Sequence, residues 1–340
     1  MIWKGVPSLV VALSLGILGA CSTVKKSEPP PTSVEAPTPS EGKRDQLGPP
    51  EPFGPMPIQT PASVYGPEPF QTRPLVLVLG PGLARSFAYA GVLRALEEAK
   101  LPIGAIVATE MGALIAILYS LNDTINKFDW SLERFKEDLF LEGPPLFSSL
   151  LKKKPGNGNK LEETLERVLG KKKIEKGRVL VQIVIQKLKS GEVVLVKQGE
   201  AASIARAAVP VRMMMSPGKL DSDFSLSSDE VRPFAVSEAR FLGLGPVVVI
   251  DVLESGANSK SSSQGDQAEV TRLMSQAEVK GGQEFSDAAL VLRPDLTGIG
   301  YFDFKKRSEA IFKGKTEVMA HLKELRQLVG LPPEIEGGVP

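Results

Sequence analysis

Cysteine and histidine are almost missing from this chain of 340 residues, with one of each, Cys21 and His321. A single cysteine excludes an intramolecular disulfide and any zinc site built on cysteines. A single histidine is equally restrictive, because a Ser-His-Asp relay would have to run through His321. That residue stands in TEVMAHLKELRQ, a lysine-rich helical stretch near the C-terminus, where it reads as a surface residue. Hydrolysis by such a relay is therefore not expected. Charge of one sign is also lacking: 41 Lys and Arg stand against 40 Asp and Glu, so no net field draws the chain to nucleic acid or acidic polymers. No residue pattern calls for a metal or a cofactor.

Long apolar runs are scarce as well. Val6–Leu18 follows a short positive start and is too short for a confident membrane span; it reads as a secretory signal. It ends in Leu18-Gly19-Ala20-Cys21, which resembles the bacterial lipobox, whose cysteine receives the lipid. Residues 1–21 are thus expected to be a lipoprotein signal, with the membrane reached through a lipid anchor on Cys21. Ser22 at the next position resembles Gram-negative lipoproteins of the outer membrane. Residues 22–74 hold about half of the chain's 28 prolines among Ser, Thr, Glu and Gly and cannot bury a core. They are expected to be a disordered, partly polyproline tether that holds the rest away from the lipid.

At Pro74 the composition changes. Leu75–Leu79 (LVLVL) has the length and branching of a buried strand. A glycine-bearing turn, Gly80–Ser86, follows, and then Phe87–Lys100, whose Phe87, Val92, Leu93 and Leu96 share a helical face. The unit repeats: strand Ile103–Val107, turn Ala108–Gly112, apolar helix Ala113–Leu121. Further strands are expected at Val179–Ile185, Glu192–Val196, Val247–Val252 and Ala289–Leu292. The alternation predicts one α/β domain over residues 75–330, with a mostly parallel sheet covered by helices on both faces, and a flexible tail over 331–340. Chemistry in such folds sits at the carboxyl ends of the strands, where the two turns lie side by side.

These segments, with Gly91–Leu96, Ala201–Pro210, Val236–Arg240 and Arg293–Gly300, resemble in their order the patatin-like phospholipase family. The resemblance implies three catalytic parts. A serine on a Gly-x-Ser-x-Gly elbow attacks the acyl carbonyl, an aspartate of an Asp-Gly pair serves as its base, and amides of a glycine-rich loop hold the oxyanion. No histidine is needed. Here Glu110 stands at the serine position, and Ala108 replaces the first elbow glycine. The loop reads Gly80, Pro81, Gly82, Leu83, Ala84, Arg85, Ser86. Pro81 has no N–H to offer, and Leu83 and Ser86 are poorly suited to positive φ. Asp229, in Ser227-Ser-Asp-Glu-Val231, is the candidate for the base, with a solvated loop acid as its plainer reading. A carboxylate is a weak nucleophile toward an ester, and removal of the serine from a serine protease costs about 10⁶-fold in rate.

The resemblance therefore implies an envelope-anchored pseudo-lipase that binds a lipid or an envelope protein; the alternative is an acyl hydrolase using a non-standard site. Glu110 could act as a general base for water with Arg85 or the loop amides as electrophile, or Ser86 or Ser203 could replace the nucleophile. The reading preferred from the residues is a fixed Glu110, its carboxylate accepting the loop N–H groups or pairing with Arg85 and repelling developing charge. Other features have plain readings. Lys152–Lys154 and Lys171–Lys173, flanking a helix at Asn159–Leu169, read as a solvated basic edge rather than a lipid-headgroup site. Trp130 reads as core, 254–276 as holding a flexible insertion, and Lys305–Phe312 and Lys315–Leu328 as two helices covering the sheet.

Overall fold

The computed structural model describes residues 72–140, 158–211, 215–253 and 266–332, all within the unit Tyr65–Pro340. Cys21, the tether up to residue 71, Lys152–Lys154 and most of the tail lie outside the described residues.

Eight strands form one sheet among the described residues: β1 (Leu75–Leu79), β2 (Ile103–Ala108), β3 (Leu180–Lys187), β4 (Val193–Val196), β5 (Gly218–Leu220), β6 (Asp223–Ser227), β7 (Val247–Ile250) and β8 (Leu290–Leu292). Their order is β5-β6-β3-β2-β1-β7-β8, with β4 also pairing to β3. The five strands from β3 to β8 run parallel, and β4, β5 and β6 join antiparallel at one side. The sheet is thus mostly parallel, as the alternation of strands and helices predicts.

β1 has neighbours on both sides and shows why its five residues are all apolar. Leu75, Leu77 and Leu79 enter the larger core, and Val76 and Val78 enter the second core on the opposite face, since successive side chains alternate across a strand. Each fully buried aliphatic side chain contributes about 1.5–3 kcal/mol. The larger core takes α1 (Ala88–Glu98), α2 (Glu110–Leu121), α3 (Ile125–Leu132), α4 (Asn159–Leu169), α5 (Ala201–Ala208) and buried residues of the last helices. The second core is closed by α6 (Val236–Phe241) and α7 (Asp266–Glu284), through Val236, Ala239, Val270, Met274 and Ala277. Helices therefore cover both faces.

Several boundaries differ from the sequence expectation. The helix expected from Phe87 is preceded by a 3-10 turn, Leu83–Phe87, and α2 begins at Glu110, three residues before Ala113. Trp130 is not core: it is 73% exposed, while Phe128 and Leu132 of α3 are buried. Residues 128 and 132, four apart, share the inward face, and 130 falls on the other side of the helix. Residues 266–276, expected within an insertion, form the first turns of α7; residues 254–265 are outside the described set. Near the C-terminus, α8 (Arg307–Ala320) runs through the expected break, and α9 (Leu322–Leu328) follows His321. Gly314 lies within α8. A Cβ there would lie 2.0 Å from the carbonyl oxygen of Ala88, and one on Gly91 would lie 1.8 Å from that of Ile311, so the paired glycines let α1 and α8 approach closely.

Candidate functional site

The site lies at the carboxyl ends of β1 and β2, which are hydrogen-bonded neighbours. The Gly80–Ser86 loop leaves β1, and the turn through Thr109 leaves β2 and enters α2 at Glu110. Two side chains brace this corner. The Thr109 hydroxyl donates to the carbonyl of Pro233 at 2.8 Å, tying the elbow to the segment that carries Asp229, and the Tyr89 hydroxyl donates to the carbonyl of Gly80 at 3.1 Å. Gly112 is needed for closeness: a Cβ on it would stand 2.6 Å from the carbonyl oxygen of Leu79.

Glu110 has φ 47°, a left-handed conformation that a non-glycine residue adopts at a cost of about 1–3 kcal/mol. The strained elbow is therefore present although its serine is not. Leu83 also has positive φ, 49°, contrary to the expectation that it would avoid it. This conformation aims the N–H groups of Gly82 and Leu83 at one point. That point is occupied by Glu110 Oε2, which accepts from the Gly82 N–H at 2.7 Å and from the Leu83 N–H at 3.1 Å. Of the two expected arrangements, the structure has the one with the loop amides. Arg85 turns the other way, donating to the carbonyl of Leu253 at 3.3 Å and lying over the Tyr301 ring.

The whole corner is closed to solvent. Glu110, Arg85 and Ser86 are 0% exposed, and Asp229 is 3% exposed. Asp229 is thus not a solvated loop acid. Glu110 Oε1 and Asp229 Oδ2 are buried without a hydrogen-bond partner. Burial pushes the Glu110 carboxyl up to about 8, against the pull of the Leu83, Met111 and Gly82 amides and with a further push from the charge of Asp229. Burial likewise pushes Asp229 up to about 6, opposed by the Ser227 hydroxyl. At neutral pH, Glu110 is therefore mostly a neutral acid. This corrects the expected charge repulsion: a mostly neutral carboxyl accepts from both loop amides and fills the space between them.

The remaining candidates fall elsewhere. Ser86 is buried in the 3-10 turn, its hydroxyl without a partner. Ser203 lies on α5 at the wall of a separate cavity. His321 marks the junction of α8 and α9, with its ring nitrogen 3.1 Å from the carbonyl oxygen of Glu317. No group of His, Cys, Asp or Glu suited to a metal occurs among the described residues. None of their helices is long and apolar enough to cross a membrane. Sequence reasoning missed Thr109, whose position just before Glu110 was the available signal, and the closure of the corner by Phe234, which packs on Gly80.

Residues 77–236 match the family model described as patatin-like phospholipase. Among solved structures, VipD from Legionella pneumophila is similar at 10% identity, over 75% of this chain and 67% of that one, with a TM-score of 0.41. ExoU, a type III effector, is similar at 13% identity, over 74% of this chain and 53% of its own, with a TM-score of 0.35. A full-length ExoU–SpcU complex from Pseudomonas aeruginosa matches at 16% identity, over 75% of this chain and 54% of that one, again with a TM-score of 0.35. The chain thus spans about half of the length of ExoU. The matched segment contains both turns, the elbow and Asp229, and over residues 77–236 the chain carries a domain of the patatin-like phospholipase family.

Proposed function

We propose that this domain is a catalytically silent patatin-like module, anchored in the bacterial envelope through Cys21 at the outer membrane, that binds lipid or an envelope protein without hydrolysing it. The observation that carries the reading is the seat of Glu110 Oε2 between the Gly82 and Leu83 amides.

Bond counting explains what that seat means. In an acyl-serine the chain from the backbone runs Cβ, Oγ, carbonyl carbon, carbonyl oxygen. In glutamate it runs Cβ, Cγ, Cδ, Oε. Glu110 therefore places a carboxyl carbon where an acyl carbon would stand and an oxygen where the oxyanion donors await one. Near neutral pH, burial keeps it mostly in the neutral form, the form most like an ester carbonyl. An occupied pair of donors gives no differential stabilisation to a transition state, and loss of even one such donor costs about 10²–10³-fold.

The test is turnover of p-nitrophenyl esters and of phospholipid by the purified protein. No release above background is expected. Release by the wild type that disappears in Glu110→Ala would establish the rival, an acyl hydrolase with a non-standard site, and would sink the silent reading. For the anchor, Cys21→Ala should move the protein from the membrane fraction to the soluble fraction.

A further inference from the structure

The sheet has an edge that no described strand covers. Ile183 of β3 pairs with Ala108 of β2 and with Val196 of β4, and Ile185 pairs with Ser227 of β6 and with Val194 of β4. A strand residue has two hydrogen-bonding sides, so β4 takes the side of β3 opposite both β2 and β6. Among the described residues no strand lies beyond it.

The parity of the hydrogen bonds shows which groups are left open. The Lys187 N–H donates to the carbonyl of Glu192 at 2.9 Å, whereas the Leu188 N–H, one residue on, turns to the carbonyl of Phe224 at 2.8 Å. Bonded pairs recur at every second residue of an antiparallel ladder, so Ile185 bonds to Val194 and Ile183 to Val196. The N–H and C=O groups of Val193 and Leu195 therefore point away from β3, and neither residue has a hydrogen bond to another segment among the described residues. The side chains are equally open. All four residues of β4 are apolar and half-buried, and Glu192 and Lys197 stand exposed at its two ends, in no ion pair among the described residues. Natural edges are usually protected by a lysine within the strand, a proline or a bulge. β5, at another edge, follows that rule with an exposed Lys219 at its centre. β4 has none of these, and its register with β3 is unbroken from Val193 to Val196.

We propose that the outer edge of β4 is where two copies of this chain join, strand against strand and antiparallel, so that one sheet runs through both. The flanking charges make the edge complementary to itself in this direction only. A parallel pairing sets acid beside acid and lysine beside lysine, whereas an antiparallel one sets the acidic end of each strand at the basic end of the other. Parity then limits the register, since Val193 and Leu195 must bond to outward-facing groups. With Leu195 opposite the partner's Leu195, Val194 faces the partner's Val196, Glu192 faces the partner's Gln198, and Lys197 lays its stem over the partner's Val193. Like charges are nowhere opposed. A junction of one short strand buries less than the roughly 1,600 Å² of a standard interface, so dissociation in the micromolar range is expected. Dimerisation through β4 does not depend on whether Glu110 is silent.

Native mass spectrometry of the full-length Cys21→Ala protein in non-ionic detergent, from about 1 to 100 μM, tests the junction without lipid anchors. A dimer whose share grows with concentration is expected. Val193→Pro removes only an outward N–H, where edge strands accept proline, and Leu195→Lys opposes two like charges at the two-fold axis. Each should weaken the dimer by at least about tenfold while circular dichroism stays unchanged. Leu195→Cys in the same background should give a disulfide-linked dimer on mild oxidation, because directly opposed residues of a bonded antiparallel pair have Cα atoms about 5.5 Å apart. Phe312→Cys, at a position 65% exposed on α8, should not. The cross-link keeps the test decisive if either strand variant misfolds. A monomer at every concentration, a dimer indifferent to both strand variants, or equal cross-linking of the two cysteine variants overturns the inference. Slow hydrogen exchange at the Val193 and Leu195 amides of a protein that stays monomeric would also overturn it, and would identify the cover of this edge as another segment of the same chain.

Discussion

Replacing Glu110 by glutamine should change how stability depends on pH. In the unfolded chain the carboxyl titrates near its ordinary value of 4.5, and in the folded protein burial holds it at about 8. Between those values the native state keeps a proton that the unfolded state has released, so stability falls as pH rises through this window. At about 1.4 kcal/mol per pH unit, the interval makes the wild type roughly 5 kcal/mol less stable at pH 9 than at pH 4.5 through this group. Asp229 acts with the same sign in a lower window, from 3.8 to about 6. The charge of Asp229 helps to raise Glu110, so the two effects do not simply add. Glutamine keeps the shape and offers its amide oxygen to the Gly82 and Leu83 N–H groups, but it has no proton to lose. Urea unfolding of both proteins at unit steps from pH 5 to 9 gives a difference in which other titrating groups cancel. The two should be nearly equal at pH 5, and Glu110→Gln should be the more stable by several kcal/mol at pH 9. A difference that stays flat, or that favours the wild type as pH rises, would refute the assignment of a buried, mostly neutral Glu110.

Three further outcomes follow from the geometry. Glu110→Ser frees the two amides and puts a hydroxyl on an elbow that already has φ 47°, so p-nitrophenyl ester hydrolysis should appear above the wild-type background and be lost again on adding Asp229→Asn; identical rates in all three proteins would mean that the donors are not catalytically placed. Gly314→Ala would bring a Cβ to 2.0 Å from the Ala88 carbonyl oxygen and should cost about 1–3 kcal/mol or more by overpacking, read as a lowered Tm. Trp130→Ala should change stability by no more than about 0.5 kcal/mol, whereas Phe128→Ala should cost about 3–5 kcal/mol; comparable losses in chemical unfolding would place Trp130 in the core after all.

Six of the eight strands and the neighbourhood of the two turns were legible because their causes are local, whereas β5 and β6, short and carrying Lys, Asp and Ser, were not. LVLVL in β1 has no polar residue to leave facing water, and the repeated strand-turn-helix spacing brings residues 80–86 and 110 to adjacent strand ends. What was not legible depends on contacts between distant segments. Gly314 resembles a helix stop until α1 is seen to need its missing side chain. Trp130 looks like core by hydrophobicity, but two neighbours four residues apart decide which face of α3 turns inward. Leu83 takes positive φ because a tertiary acceptor rewards it, which propensity alone cannot foresee. The protonation of Glu110 was misjudged for the same reason: a sequence shows an acid beside amide donors, but not the burial that outweighs them.

On the proposed silent reading, that burial also explains why glutamate suits position 110. An oxyanion site awaiting a substrate is a pair of N–H groups held without a permanent acceptor, and in a solvent-free corner each unsatisfied group costs about 1–3 kcal/mol. An enzyme recovers that cost in its transition state. A domain that performs no ester chemistry has no such return, and alanine at 110 would leave the Gly82 and Leu83 amides without the acceptor they now have. Glutamate supplies that acceptor from within the chain at the length of an acyl-serine, while its own desolvation is eased by keeping the proton up to a pH of about 8. The same contact therefore satisfies both donors and stabilises the turn that presents them. For this reason Glu110→Ala and Glu110→Gln should part company: both lack a titrating carboxyl, but only glutamine keeps an oxygen between the two amides.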